Sequence, residues 1–468
     1  MSFVGLYTGL SGIRAAQTGI DTVSNNVANT ATPGYTRQRV NLSPSHSFQS
    51  AVGQIGTGVT VDGVARLRDV FLDDRFRQAI GDHGEASVRG NLLAQFEQLT
   101  GEPEQGISLT LGRLWNAVES WSNDPNSSST RQEVLAELSS VTDTIRSVSA
   151  AWDALEADVT TRLETTAVVA SDRLQTLDEL NRRIVGMDPK RIGNDLLDQR
   201  DRLLDEVAKL TGAEAGIDET GRAVVSVGGQ DLLSADGAAR LEVVGGQIQA
   251  LQPPDDTAVT LEGLGGELGG LQRVLTDDLP ALREELDAFA ATLAAAVNET
   301  NRAGLRADGD AGEDLLAFDA GAAASSIRLA DGVGIADLAA ASPDPDDPGA
   351  PVAPHDASNA IRFAQLRNAR IDDSGLRDPA GVSLDSRFGE LSTRLAGDVR
   401  ASASTAEAAR STFRSAEFAR TSEHGVSIDE EMVDLVRYQR ALEAASRVMT
   451  TVDEALEVLV NRTGVVGR

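Results

Sequence analysis

The sequence predicts a mainly α chain with a small β insert, arranged as an elongated hairpin of helical rods. Three observations carry that fold class. Apolar residues recur three and four apart over most of the 468 residues, and period-two alternation is concentrated in one internal stretch. Both chain ends also carry matching stripes. Phe3, Leu6, Leu10, Ile13, Gln17, Ile20, Ser24 and Val27 line one helical face at the start, and Ile428, Met432, Leu435, Gln439, Leu442, Ser446, Met449 and Leu456 line another at the finish. Each stripe is narrow and interrupted by polar residues, which suits a coiled-coil contact. The two ends are expected to meet each other or a neighbouring molecule, and to be labile without such a partner.

Taken in order, the first helix runs from Ser2 to about Asn29 and stops at the run from Asn29 to Gly34, where Pro33 lacks a donor and Gly34 permits positive φ. Residues 36–64 alternate with several glycines and predict short strands or an extended arm. Helical spacing returns over 64–99 with a weak point at Gly81 and Gly84, and again over 108–121. After the breaker at 123–129, Thr130 with Glu133 predicts a capping box that opens a long helix toward Ile184. A further amphipathic helix covers 194–210.

Residues 213–262 alternate between Gly and Asp turns and predict the β insert, placed at the far tip of the hairpin with both chain ends at its base. Helix resumes from Gly270 to Val297, and the stretch 342–354 holds five of the fourteen prolines, as a solvated loop. Helices follow at 357–368 and 386–421, then Gly425 breaks the chain before a last helix, where Ser427 precedes Glu430 as a second capping box. The expected units are 1–60, an assembly helix with its arm; 61–212, the first half of the rod; 213–262, the β insert; 263–420, the second half; and 421–468, the terminal assembly helix.

Composition excludes several classes. A formal net charge of −30 repels nucleic acid and anionic membranes from most of the surface. Cysteine is absent, which removes disulfides, thiolate metal sites and cysteine nucleophiles. No basic, apolar, small-residue leader opens the chain, so a conventional cleaved signal peptide is not expected, and no run approaches a membrane span.

Catalytic and metal patterns are not found. His46, His83, His355 and His424 are scattered and read as surface or loop residues. Asp308, Asp310, Glu313 and Asp314 resemble the opening of a calcium loop, but the glycine falls at 312 and the closing acid is a poor fit, so a solvated turn is expected. Glycines at 228–229 and 263–270 lack the lysine and spacing of a phosphate loop and read as turns. No catalytic, cofactor-binding or metal residue is nominated.

The segment from Ser24 to Gln38, with Asn25, Asn26, Val27, Asn29, Pro33, Gly34, Tyr35 and Arg37 in it, resembles the amino-terminal signature of bacterial flagellar axial proteins. The form N-T-x-x-P-G-Y-T-R-Q is most similar to the first hook-associated family, at the hook–filament junction. Further similarity lies at Gly58–Val59, Arg66–Leu72, Asn194–Asp201, Gly269–Asn298 and Gly425–Gln439. The resemblance implies an elongated axial protein that is not an enzyme. Such a subunit is exported unfolded through the flagellar type III channel and assembles outside the cell at the hook–filament junction. Its implied partners are the hook protein, the other junction protein, further copies of itself and an export chaperone at the carboxy-terminal helix. The implied assembly interface comprises Leu6, Leu10, Ile13, Ile20, Asn25, Asn26, Val27, Asn29, Pro33, Gly34 and Tyr35 with Ile428, Met432, Leu435, Leu442, Met449, Leu456 and Leu459. Another axial protein, or an enzyme domain on a helical scaffold with its pocket in the β insert, are the competing readings.

Overall fold

Eleven α-helices and thirteen strands build the described chain. The structure is a computed structural model that describes residues 4–50, 53–187, 192–344, 351–353 and 355–462. The helices are α1 (Val4–Ala28), α2 (Val70–Leu99), α3 (Ile107–Asn123), α4 (Ser128–Val185), α5 (Asn194–Thr211), α6 (Gly266–Arg273), α7 (Leu279–Arg302), α8 (Ala323–Ser326), α9 (Ser358–Gln365), α10 (Leu384–His424) and α11 (Ile428–Arg462). The arm between α1 and α2 holds β1 (Gln38–Pro44), β2 (Phe48–Ser50), β3 (Gly53–Ile55) and β4 (Val59–Arg66); β1 pairs antiparallel with β4 and β2 with β3.

The rod is a bundle in which α2, α5 and the α6–α7 pair run away from the chain ends while α4 and α10 run back. α4 is 58 residues long, about 87 Å at 1.5 Å per residue. Its sequence has neither Gly nor Pro, the usual causes of a kink. The helix starts at Ser128, capped by Ser127, whose Oγ accepts the Thr130 N–H at 3.4 Å. The cap expected at Thr130 therefore sits three residues earlier, and Thr130 is itself a first-turn donor, its N–H taken by Ser127. Between α6 and α7 the chain widens into a π turn, Val274–Asp278, with the Leu279 N–H on the Val274 carbonyl. Pro280 follows at once and supplies no donor.

The expected weak point at Gly81 and Gly84 is not a break. α2 is continuous there, and the glycines are where α2 crosses its neighbours: a Cβ at Gly81 would lie 3.0 Å from the Gly212 Cα, and one at Gly84 3.0 Å from the Lys209 carbonyl. Gly212 ends α5 in the left-handed region, at φ 66°, the usual glycine exit from a helix.

The β insert comprises β5 (Glu214–Ile217), β6 (Ala223–Val227), β7 (Gln230–Ser234) and β8 (Gly237–Ala238) in one antiparallel sheet, and β9 (Arg240–Val244), β10 (Gln247–Gln252) and β11 (Thr257–Thr260) in another. It lies along the second half of α4, not at the far tip. Ser171 Oγ accepts the Leu241 N–H at 2.8 Å, and Asn181 bonds both backbone groups of Ala223, at 2.8 and 2.9 Å. Val225, Leu233, Leu241 and Ile248 join the same hydrophobic core as Leu163, Leu174 and Leu177 of α4. The insert is too thin to bury both its faces alone, so it shares the rod's core.

The far end is made by α3, α9 and the loops of 303–344, which include β12 (Leu316–Ala317) paired with β13 (Arg328–Leu329); most of the proline-rich stretch expected at 342–354 lies outside the described residues. Buried amides replace missing sheet bonds there: Asn298 Oδ1 accepts the N–H groups of Leu315 and Leu316, and Asn301 Nδ2 donates to the carbonyls of Glu313 and Asp337. Arg131, buried and without a carboxylate, donates to the carbonyls of Pro125, Ile335 and Leu338. The acidic residues near 308 surround Arg306, which reaches Asp308, Asp310 and Asp337. Among the described residues no group of His, Cys, Asp and Glu could hold a metal ion, and no helix is long and apolar enough to cross a membrane.

Replacing Asn181 by Ala leaves two buried Ala223 backbone groups unpaired and should cost about 2 kcal/mol. Gly389→Ala, at a helical position with nothing within 4 Å of the added Cβ, should instead add about 0.5–1 kcal/mol. Denaturant unfolding of the two variants reads both signs.

Candidate assembly interface and its joint to the rod

The first and last helices pair with each other, antiparallel, but α1 does so through a different face from the one its leucines mark. Cβ atoms built at Gly5, Gly9, Gly12 and Gly19 would meet Val452, Met449, Ala445 and Tyr438 of α11. Asn26 continues the line, its Nδ2 donating to Glu431 at 3.0 Å. With Ala16 and Val23, both buried, these residues form an alternating four-three spacing, the coiled-coil period. On α11 the matching line is Glu431, Leu435, Tyr438, Leu442, Ala445, Met449, Val452 and Leu456. A glycine face brings the two backbones close and accepts the bulky side chains of the partner. It also weakens α1 alone, since each interior glycine costs about 0.5–1 kcal/mol in a helix.

The expected interface residues thus divide. Leu435, Leu442, Met449 and Leu456 are half-buried on the seam side of α11, while Ile428 and Met432 are exposed, at 54% and 48%. On α1 the Leu6, Leu10, Ile13 and Ile20 positions are half-buried beside the seam, with Val27 exposed. The Leu459 side chain and Phe3 lie outside the described residues. The seam glycines carry no hydrophobic signal, though their four-three spacing is visible in the sequence.

The motif from Asn25 to Arg37 closes the base of this coil. Asn29 Nδ2 donates to Asn25 Oδ1 at 2.7 Å, and Pro33 and Gly34, exposed, turn the chain with φ 77° at Gly34, against Arg202. Asn26 is 1% exposed; its Oδ1 accepts the Tyr35 hydroxyl at 2.8 Å and the Gln38 N–H at 3.0 Å, and its Nδ2 also donates to the Gln38 carbonyl. Burial pushes the Tyr35 hydroxyl up to about 12, helped by the charges of Asp198 and Glu431. Arg37 grips the start of α11, with Nε 2.7 Å from Glu431 and Nη1 2.5 Å from Glu430. Acids in that first turn also complement the helix dipole. Ser427 Oγ accepts the Glu430 N–H at 3.5 Å, the capping half of the box expected there.

Below the coil, α5 offers a row of carboxylates to arginines from three elements. Arg66 of the arm lies 2.8 and 2.7 Å from Asp198 and Asp201, Arg68 binds Asp201 and Asp73, Arg77 of α2 lies 3.0 Å from Asp205, and Arg420 of α10 reaches Asp73 and Asp205 at 2.9 and 2.7 Å. Burial raises the Asp201 carboxyl, but Arg68, Arg200 and Arg66 outweigh it and leave it below the usual range. At Asp205 burial wins over Arg420 and Arg77, and the carboxyl lies above the usual range. His424, read from sequence as a surface or loop residue, is 6% exposed here and its Nε2 accepts the Asp69 N–H at 2.8 Å. Its burial depends on the arm folding back, which local sequence does not show. Of the other histidines, His46 and His355 are exposed and His83 stacks on Phe413.

The N-D-L-L-D-Q-R-D stretch of α5 is therefore the rod's anchor for the terminal coil. Profile comparison covers both parts of this arrangement. The helical domain of flagellar hook-associated protein FlgK matches residues 93–316, the flagellar basal body rod protein profile matches 6–36, and the FlgEFG rod-protein C-terminal profile matches 421–462. Flagellar hook-associated protein 1 of Bacillus subtilis is 28% identical over 100% of the chain and 99% of its own length. The chain is similar to flagellar hook-associated protein 1 along its whole length. The Salmonella typhimurium relative of the same name is 26% identical over 69% of the chain and 61% of its own length. Among solved structures, the flagellar hook junction protein FlgK from Burkholderia pseudomallei has the same fold, with TM-score 0.66 over 76% of this chain and 100% of that one at 15% identity. The relatives named are flagellar structural proteins.

A Cβ at residue 19 would lie 2.5 Å from two ring atoms of Tyr438, so Gly19→Ala should destabilise the coil by about 1–3 kcal/mol although alanine is the better helix former; faster proteolysis of α1 with unchanged rod unfolding reads this. Asp201→Asn removes the carboxylate that Arg66, Arg68 and Arg200 share and should cost about 3 kcal/mol near neutral pH. Because the folded Asp201 lies below its ordinary value, its stabilisation is present above about pH 4 and lost as pH falls through the lowered value. The difference between parent and variant in thermal unfolding should shrink accordingly in acid.

Proposed function

We propose that this relative of hook-associated protein 1 forms the junction between hook and filament, polymerising outside the cell through its terminal helices after export by the flagellar type III system. One observation carries the reading. After α1 and α11 have paired through the glycine seam, the α1 flank of Leu6, Leu10, Ile13 and Ile20 stays half-exposed, and Ile428, Met432 and Val436 remain exposed on α11. A coil that satisfies its own seam and still presents two apolar flanks is suited to side-by-side contact with other copies. The hook protein, the other junction protein and further copies of this chain are the partners the reading names. The α11 seam residues, which lose their cover when α1 is removed, are the surface it assigns to an export chaperone. Asn25, Asn29, Pro33, Gly34 and Tyr35 then hold the coil at its base.

Another axial position, in hook or distal rod, is the second reading, favoured by the rod-protein profiles at the two ends. The helical domain matched over 93–316 favours the junction. Gold-labelled antibody on isolated hook–basal bodies should mark one band at the distal end of the hook; label along the hook or rod would overturn the junction assignment. The double variant Leu10→Asp with Ile13→Asp should keep the helix content and thermal unfolding of the parent yet fail to assemble, with motility lost. Normal junctions in that variant would remove α1 from the interface.

A further inference from the structure

Only two stretches of chain connect the terminal coil to the rod: the outgoing arm, residues 29–69, and the return, residues 425–427. Besides the arginine contacts with α5, both are tied to one residue. His424, the last residue of α10, accepts the Arg37 N–H on its carbonyl at 3.0 Å and the Asp69 N–H on its imidazole Nε2 at 2.8 Å. Arg37 immediately precedes β1, and Asp69 is the N-cap of α2, its carboxylate accepting the Phe71 N–H at 2.9 Å. The end of α10 therefore pins the start and the end of the arm together, next to the α5 anchor.

We propose that His424 is a proton-sensitive pin that fixes the coil against the rod when neutral and releases it when protonated. An Nε2 that accepts a hydrogen bond carries no proton, so the ring proton is on Nδ1, which faces Asp73 Oδ1 at 3.8 Å. A second proton must go to Nε2, where it meets the Asp69 N–H head-on. Two donors cannot share that contact, and the arm end must move. The charged groups facing the ring come from every neighbouring element: Asp73 of α2 and Glu423 of α10 favour the cation, whereas Arg68 of the arm and Arg420 of α10 oppose it. Asp201, Asp205 and Glu417 line the same cleft. Burial, the largest influence, together with Arg68 and Arg420 keeps the imidazole below its ordinary value. Neutral imidazole is thus the form bound in the folded joint. The pin holds above the ordinary histidine value of about 6.5 and is lost as pH falls through the lowered value.

Asp205 lies in the same network and is raised by burial, so the test separates it from His424. The chain has no cysteine, which allows two to be introduced at the exposed positions Glu164 and Arg440 for spin labels on rod and coil in the full-length protein. The inter-label distance should be narrow at about pH 7.5 and broaden as pH falls below the ordinary histidine value of about 6.5, with far-UV helix signal unchanged. His424→Gln keeps an acceptor but cannot gain a proton, and should stay narrow across that range. The triple variant His46→Gln, His83→Gln and His355→Gln, which leaves His424 as the one histidine, should keep the full transition. An unchanged distance in the parent, the same broadening in His424→Gln, or loss of the transition in the triple variant each overturns the proposal.

Discussion

The close approach of α1 to α11 is the contact on which the rest of the arrangement depends. It is made by glycines on one helix and by bulky residues on the other. Because the seam is built from small residues, the large apolar side chains of α1 are not consumed in pairing and stay only half-buried. Pairing and display are thereby separated on one short helix. A seam of leucines would have buried the same residues that the family reading needs for contact between subunits, and the two tasks would have competed.

That coil is useful only if it is held in a defined direction, and the holding is electrostatic. Asp201 sits among Arg66, Arg68 and Arg200, so its ionised form is favoured despite burial, while Asp205, against Arg77 and Arg420, lies on the other side of its ordinary value. Two carboxylates one helical turn apart on α5 are thus driven in opposite directions by the balance of desolvation and charge. Removing one member of such a cluster strands the others without water or partner, which is why it is sensitive to single changes.

Much of this was legible in the residues. The long α4, the terminal helices, the β insert and the turn at Pro33–Gly34 follow from period and punctuation, and the α11 seam was marked by Leu435, Leu442, Met449 and Leu456. The α1 seam was misread because a hydrophobic scan follows Leu and Ile, whereas Gly5, Gly9, Gly12 and Gly19 act by having no side chain. His424 and the Arg–Asp cluster were missed because their burial arises from segments more than a hundred residues apart. The β insert was given the tip position by sequence order; its side-on packing depends on Ser171 and Asn181, two ordinary polar residues inside a long helix.

α4 has a mechanical meaning beyond its place in the core. An unbroken helix of 58 residues, without a kink-forming residue, is a strut that reaches from the loops around Arg131 at one end to the α5 anchor at the other. Force applied to the outer loops is passed along a stiff beam instead of being absorbed by bending at intermediate joints. The compliance of the whole subunit is then concentrated at its base, where the terminal coil meets the rod.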